Sequence, residues 1–276
     1  MTIGGAGRAV FDLFESHDVV LLGENHGVRE NFEFIRFLVP ELHASGVRYI
    51  ALEFAANEEQ HRADELVLGK KYDAQVSRDM LFSYNVAWPY LEYQEVHRHV
   101  WMFNQTTEDK MRVLHASYIY DWSKWQGTRE QDSMTSVMHK GDYNQFRADR
   151  ISEAIAQGGK VLGIFGAVHA SRDKRNLDLF GMDRSIQTLG MRLEQTFPGR
   201  IASVNLNGAS EGFWDLDLFT SHTFSKCTVD RNFLYGRNFE EVKANWPDPD
   251  WTECPVDEDA FWRIIAERKT SLPSVR

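Results

Sequence analysis

Five short runs of apolar, β-forming residues, separated by helical patterns, limit what this chain can fold into. They are Val19–Leu22, Tyr49–Leu52, Met111–Ala116, Lys160–Phe165 and Ile201–Leu206. The first, second and fourth are almost unbroken apolar stretches, which is the pattern of a strand buried on both faces. Between the first two, Phe32, Ile35, Leu38, Val39 and Leu42 recur at spacings of three and four and predict an amphipathic helix. Pro40 is expected to kink or restart that helix, and Gly46 to stand just past its end. Strand, helix and strand within about 35 residues read as a right-handed βαβ unit. A second helix is predicted over roughly 143–157, closed by Gly158 and Gly159, and a third over roughly 183–196. The expected fold is therefore α/β, a mainly parallel central sheet sandwiched by helices.

Residues 57–105 break this rhythm. They are too many for one crossover helix, rich in charged and aromatic side chains, and divided by Pro89. They predict an inserted helical cap over the strand ends, within a single domain spanning 1–276. From about residue 211 the chain is aromatic and poorly periodic, with Pro247, Pro249 and Pro255 marking loops and a short helix expected over 257–267. At 42% hydrophobic residues the chain can build a core without disulfides. Its two cysteines, Cys227 and Cys254, read as free thiols of a reducing compartment or as one bridge.

The net charge of −10 argues against nucleic acid or an anionic membrane as the main partner. The N-terminus lacks the basic-then-apolar pattern of a secretory signal, and no run reaches the roughly 18 apolar residues of a membrane span. These features predict a cytoplasmic protein whose partner is a small-molecule substrate.

In open parallel sheets, ligands bind in the crevice at the carboxyl ends of the strands. The residues that follow the predicted strands are therefore the informative ones. After the first come Gly23-Glu24-Asn25-His26-Gly27, after the second Glu53-Phe54, and after the fourth Gly166-Ala167-Val168-His169-Ala170. Two carboxylates and two imidazoles thus emerge at one edge of the sheet. Glu24 and His26, two residues apart on an extended loop, point the same way. A carboxylate beside an imidazole fixes its tautomer and stabilises the imidazolium, so two such pairs suit water activation and leaving-group protonation. The same four groups, Glu24, His26, Glu53 and His169, also form a ligand set for iron, manganese or zinc. No Gly-x-Ser-x-Gly elbow and no catalytic cysteine context is present, which removes the usual nucleophile routes.

The segment Leu22-Gly23-Glu24-Asn25-His26-Gly27-Val28-Arg29-Glu30-Asn31-Phe32 resembles the signature of the erythromycin esterase family. That family belongs to a superfamily that also holds ChaN-type haem-binding proteins and Tiki-type metalloproteases. The match is residue for residue at Gly27, Arg29, Glu30 and Phe32. The gap between Glu24 and His26 is one residue shorter than in the esterases and closer to the ChaN-type pattern. Leu52-Glu53-Phe54, the aromatic-rich insertion with Trp88 and Tyr90, Arg147-Ala148-Asp149-Arg150 and the His169 segment follow in the family's order, so the likeness spans roughly residues 15–175. It implies an α/β sandwich with a helical cap. It also implies His26 as the base that activates water, Glu53 and His169 as a second pair, and Arg29 as a charged partner. Natural-product or antibiotic-modifying chemistry follows by analogy.

Further candidates are less specific. Arg29 at a helix start opposes the macrodipole, which suggests binding a carboxylate or pairing with Glu53, or else a surface pair with Glu33. Arg147 and Arg150 lie three apart on one helix face, and Arg150 is taken as a substrate contact. Trp88, Tyr90 and Tyr93 are candidates for a pocket wall, and Asp121, after the third strand, for the cleft. His115 lies inside that strand. His61, His97 and His99 read as surface residues, and His139 and His222 carry no signal. The leading expectation is a hydrolase of esters, lactones or related bonds. A metal-dependent enzyme on the same cluster and a non-enzymatic haem or metal carrier are the rivals.

Overall fold

The computed structural model describes residues 5–24, 26, 29–84, 91–121, 124, 137–174 and 185–206. Five strands form one sheet: β1 (Val19–Glu24), β2 (Val47–Ala56), β3 (Arg112–Ser117), β4 (Lys160–Gly166) and β5 (Ile201–Asn205). Every pairing is parallel, in the order β3-β2-β4-β1-β5. The fold is α/β, as expected. All six residues of β1 and all but the first of β4 are buried, because both faces of a parallel sheet are covered by helices.

The pleat sorts alternate residues to opposite layers. Val20, Leu22, Ile50, Leu52, Leu162 and Ile164 face a core built with α1 (Gly5–Leu13) and α2 (Arg29–Ala44). Val19, Leu21, Ala51, Val161 and Phe165 face the other core, built with α6 (Tyr143–Ala156), the single-turn α7 (Ala167–Ala170) and α8 (Leu189–Thr196). The predicted stripe Phe32, Ile35, Leu38, Val39 and Leu42 is buried. Each such side chain contributes about 1.5–3 kcal/mol. Contrary to expectation, α2 runs through Pro40 unbroken. Pro40 is exposed, so the carbonyl one turn earlier, deprived of its donor, lies on the solvent side. Gly46 ends the helix with φ +90°, as a C′ residue should.

The stretch expected to cap the strand ends forms a 3-10 turn (Asn57–Glu59), α3 (Gln60–Leu68), α4 (Ala74–Tyr84) and α5 (Leu91–Asn104). Leu81 and Tyr84 of α4 and Tyr93, Val96 and Val100 of α5 join the core over β1 and β2, because their apolar faces have sheet to bury against. The helix expected over 183–196 begins at Leu189, behind the N-cap Thr188, whose side chain accepts from the Met191 amide. Cys227, Cys254 and the helix expected over 257–267 lie outside the described residues. No described helix is long and apolar enough to cross a membrane.

Candidate functional site

The β-sheet brings Glu24, His26, Glu53 and His169 to one edge, at the carboxyl ends of β1, β4 and β2 with β4 in the middle. Glu24 is the last residue of β1 and lies opposite Gly166. Its carboxylate is buried, and Oε1 accepts from the Tyr93 hydroxyl at 2.7 Å and stands 3.1 Å from His26 Nδ1. Tyr93 reaches it from α5, with its ring tilted 47° against Phe32 at 4.1 Å between centres. The His26 ring packs edge-on against Phe54 at 4.8 Å and keeps 34% of its side chain exposed. It also lies over Gly166, where a Cβ would meet His26 Nε2 at 2.8 Å. Glycine there admits the imidazole to the β1–β4 crevice.

Glu53 was expected just after its strand and instead lies within β2, which continues to Ala56. The ladder to β3 is regular up to Leu52 opposite His115 and resumes at Ala56 opposite Ser117. Three residues of β2 thus face one of β3, a bulge that re-aims Glu53. Side chains take over where the ladder lapses. Ser117 Oγ donates to the Glu53 carbonyl at 2.6 Å, and Glu53 Oε2 accepts from the Gly166 amide at 2.6 Å.

Glu53 Oε1 accepts from Arg147 Nη2 at 3.1 Å and lies 3.4 Å from His169 Nε2. Arg147 Nε donates to Ser117 Oγ at 3.0 Å, and the guanidinium carbon lies 5.0 Å from the Tyr143 ring centre. Both charges are buried, with Arg147 and Glu53 at 2% and 3% exposure. Burial alone would push the Glu53 carboxyl up, but the charges of Arg147, His169 and His26 and the Gly166 amide hold it at about 2. Burial pulls His169 down to about 4, against the pull of Glu53 and with the help of Arg147. His26 goes the other way. Burial lowers it, but its hydrogen bond and charge interaction with Glu24, aided by Glu53, raise it above 6.5.

The remaining candidates are dispersed. Arg150 does not join the cluster. It is ion-paired to Glu153 and lines a small pocket with Tyr49, Gln60, Asp64 and Arg112 on the β3 side. The cluster's arginine is Arg147. Helical periodicity could have found it, since Asn144, Arg147, Ala148, Ile151 and Ala154 form the buried stripe of α6. Asp121 is half-buried and pairs with Lys124 at 3.2 Å. Arg29 opens α2, but its side chain, with Trp88 and Tyr90, lies outside what is described. His61 is exposed, whereas His97 is fully buried, contrary to expectation. It lies 2.9 Å from His115, Nε2 to Nε2, because α5 is enclosed by α2, α3, α4 and β3 rather than half-solvated. Tyr93, a candidate pocket wall, holds Glu24, while Ser117 and Tyr143 gave no distinct signal, since their roles depend on contacts across the sheet.

In this arrangement the four expected ligands spend most of their donor atoms on one another and on neighbours, although Glu24 Oε2 and His169 Nδ1 are buried without a hydrogen-bond partner among the described residues. Among these described residues, no three His, Cys, Asp or Glu side chains converge to hold a metal ion. Glu24 Oε1 is engaged by Tyr93 and His26, and both oxygens of Glu53 are engaged by Arg147, His169 and Gly166. The Arg147 guanidinium also supplies the positive charge that a cation would otherwise bring.

No protein-family model matches the chain, and no curated protein matches it. Three solved structures are similar. A protein of Bacillus cereus aligns with a TM-score of 0.51 and 12% identity, over 72% of this chain and 67% of its own. ChaN of Campylobacter jejuni, solved with cofacially bound haem, aligns with a TM-score of 0.46 and 19% identity, over 76% and 88% of the two chains. The type III effector HopBA1 aligns with a TM-score of 0.45 and 16% identity, over 62% and 76%. At these identities, what is shared is architecture, and the chain has the α/β fold of the Bacillus cereus protein.

Proposed function

We propose that this chain is a hydrolase in which His26, seated on Glu24, activates water against an ester, lactone or related bond of a small molecule. The observation that carries this reading is the 3.1 Å contact of His26 Nδ1 with the buried Glu24 carboxylate, beside an imidazole that remains partly exposed. The carboxylate makes Nδ1 the N–H-bearing nitrogen and Nε2 the basic one. A pKa lifted above the ordinary histidine value by Glu24 strengthens that nitrogen as a base. The likeness of residues 22–32 to the erythromycin esterase signature supports the same assignment.

In the proposed reaction the water oxygen bonds to the acyl carbon as its proton passes to His26 Nε2. The C–O bond to the leaving alcohol then breaks and the alkoxide takes that proton. Glu24 stabilises the imidazolium between the two steps. His169, neutral at pH 7, is unsuited to protonating the leaving group. With its Nε2–H on Glu53 it orients its neighbours instead. Antibiotic and natural-product esters are the first substrates to screen, on the resemblance alone.

The test is turnover of an ester and lactone panel by wild type, His26→Ala and His169→Ala, with transition-metal content and visible absorption measured on each protein. Loss of His26 should reduce kcat/KM by about 10²–10⁴-fold. The base must be neutral, so the rate should rise with pH through a midpoint above 6.5 and then level off. Near-wild-type turnover in His26→Ala would sink the proposal. So would a stoichiometric metal, or a haem band, that disappears in that variant.

A further inference from the structure

Three polar groups around Glu53 have no use in the water-activating step. Arg147 spends Nε on Ser117 and Nη2 on Glu53, while its buried Nη1 has no partner. His169 turns Nε2 to the same Glu53 oxygen, and its buried Nδ1 has no partner either. Tyr143, one turn before Arg147 on α6, contacts both. Its ring centre lies 5.0 Å from the guanidinium carbon and 5.2 Å from the His169 ring, which it meets edge-on at 88°. Tyr143 is half-buried, and its hydroxyl makes no hydrogen bond to the described residues. A charged N–H left buried and unpaired is more destabilising than a neutral group so left. An arginine held on two sides, with its third edge unmet, is therefore built to receive an oxygen from elsewhere.

The donor and acceptor inventory says what that oxygen belongs to. Arg147 Nη1 can only donate, and the Tyr143 hydroxyl donates at neutral pH. A neutral His169 that gives Nε2–H to Glu53 presents a lone pair at Nδ1. Glu53 already balances the arginine's charge, so the site suits a single oxygen that gains negative charge during reaction better than a doubly charged anion. We infer that Arg147 Nη1 and the Tyr143 hydroxyl form the subsite for the acyl oxygen of a carboxylic ester or lactone, and that His169 Nδ1 accepts from the hydroxyl the attacking water contributes. The inference rests on the hydrolase reading. As the new C–O bond forms, the carbonyl π pair moves onto the acyl oxygen, where Arg147 and Tyr143 hold it. When the leaving alkoxide departs, that pair returns to rebuild the carbonyl.

Two variants and one probe test this. Tyr143→Phe keeps the ring against Arg147 and His169 and deletes the hydroxyl. Arg147→Lys keeps a positive charge for Glu53 and removes the fork. The probe is a phosphonate monoester, a stable tetrahedral oxyanion, with binding followed by calorimetry. Wild type should bind it, Tyr143→Phe at least tenfold more weakly, and Arg147→Lys weaker still. On esters, Arg147→Lys should lower kcat on the order of 10²–10³-fold with KM nearly unchanged, the mark of a donor used only in the transition state. Equal phosphonate affinity in all three proteins, or none in wild type, overturns the subsite even if His26→Ala proves the hydrolase reading. Phosphonate binding that depends on Arg147 and Tyr143 supports the subsite even if no ester is turned over, in which case the hydrolase reading is what fails.

Discussion

The position that does most with fewest atoms is Gly166. Its backbone, at φ −51° and ψ 140°, is open to any residue, so alanine there brings no strain in the chain itself. The conflict is with the His26 ring, because the added methyl would stand 2.8 Å from His26 Nε2 and 2.9 Å from Cε1. The ring is the free end of a side chain and can swing away, so the fold survives while the proposed base moves. Gly166→Ala should therefore keep a melting temperature near wild type and lose on the order of 10²-fold in kcat/KM, the scale of a displacement of about 1 Å. Thermal denaturation beside ester turnover checks both halves, and an active Gly166→Ala would mean His26 does not work from this seat. The same close approach explains why the histidine was legible in the sequence and its seat was not. A glycine after a strand marks a turn as readily as a site.

Among the elements, the bulge in β2 is what converts a strand residue into a site residue. Without it, Glu53 would continue the ladder toward β3. With it, the carboxylate turns to the Gly166 amide and meets Arg147 across from α6. Strand β2, strand β4 and helix α6 are thereby tied through one buried carboxylate. Glu53→Ala leaves the Arg147 guanidinium buried without its counter-charge, which should cost about 3–5 kcal/mol. A urea midpoint unchanged by Glu53→Ala would show that the pair contributes nothing. Helix α5 plays the matching part on the other face. Tyr93 holds Glu24, and one turn later His97 meets His115 of β3. His115 gives Nδ1–H to the Ala56 carbonyl at 3.1 Å, which leaves its Nε2 to accept from His97. Helical spacing showed that His97 and His99 lie on different faces, but not that the His97 face is enclosed.

For the whole molecule, the buried imidazoles set the response to acid. Burial holds His97 well below 6.5, and His115 and His169 at about 4. Above pH 6.5 folded and unfolded chains are both neutral at these sites. As pH falls from 6.5 toward 4, the unfolded chain takes up protons that the folded one refuses, so stability declines through that window. His26, raised above 6.5, works in the opposite sense and stabilises the fold as it protonates. Three lowered groups against one raised group leave a net loss. Glu53 adds a further loss as pH falls from 4.5 to about 2. Urea unfolding across this range should show stability falling between pH 6.5 and 4, and His97→Gln, with one titrating group fewer, should fall less steeply. A flat profile in wild type would contradict the burial of these imidazoles.

By itself the sequence determined the layers of this protein and the residues at its edge. Unbroken apolar runs can be satisfied only between two covers, and the stripe of Phe32, Ile35, Leu38, Val39 and Leu42 has one side to bury. The α/β architecture and the placement of Glu24, His26 and His169 at strand ends follow from those local patterns, whereas Glu53 lies inside β2. Only the tertiary structure decided that β4 lies between β1 and β2, that Arg147 rather than Arg150 meets Glu53, and that His97 is buried against His115. Strand order and buried ion pairs are set by contacts between residues far apart in the chain, 94 positions in the case of Glu53 and Arg147. The spacing of side chains along one strand or helix carries no record of what will cross the sheet to meet them.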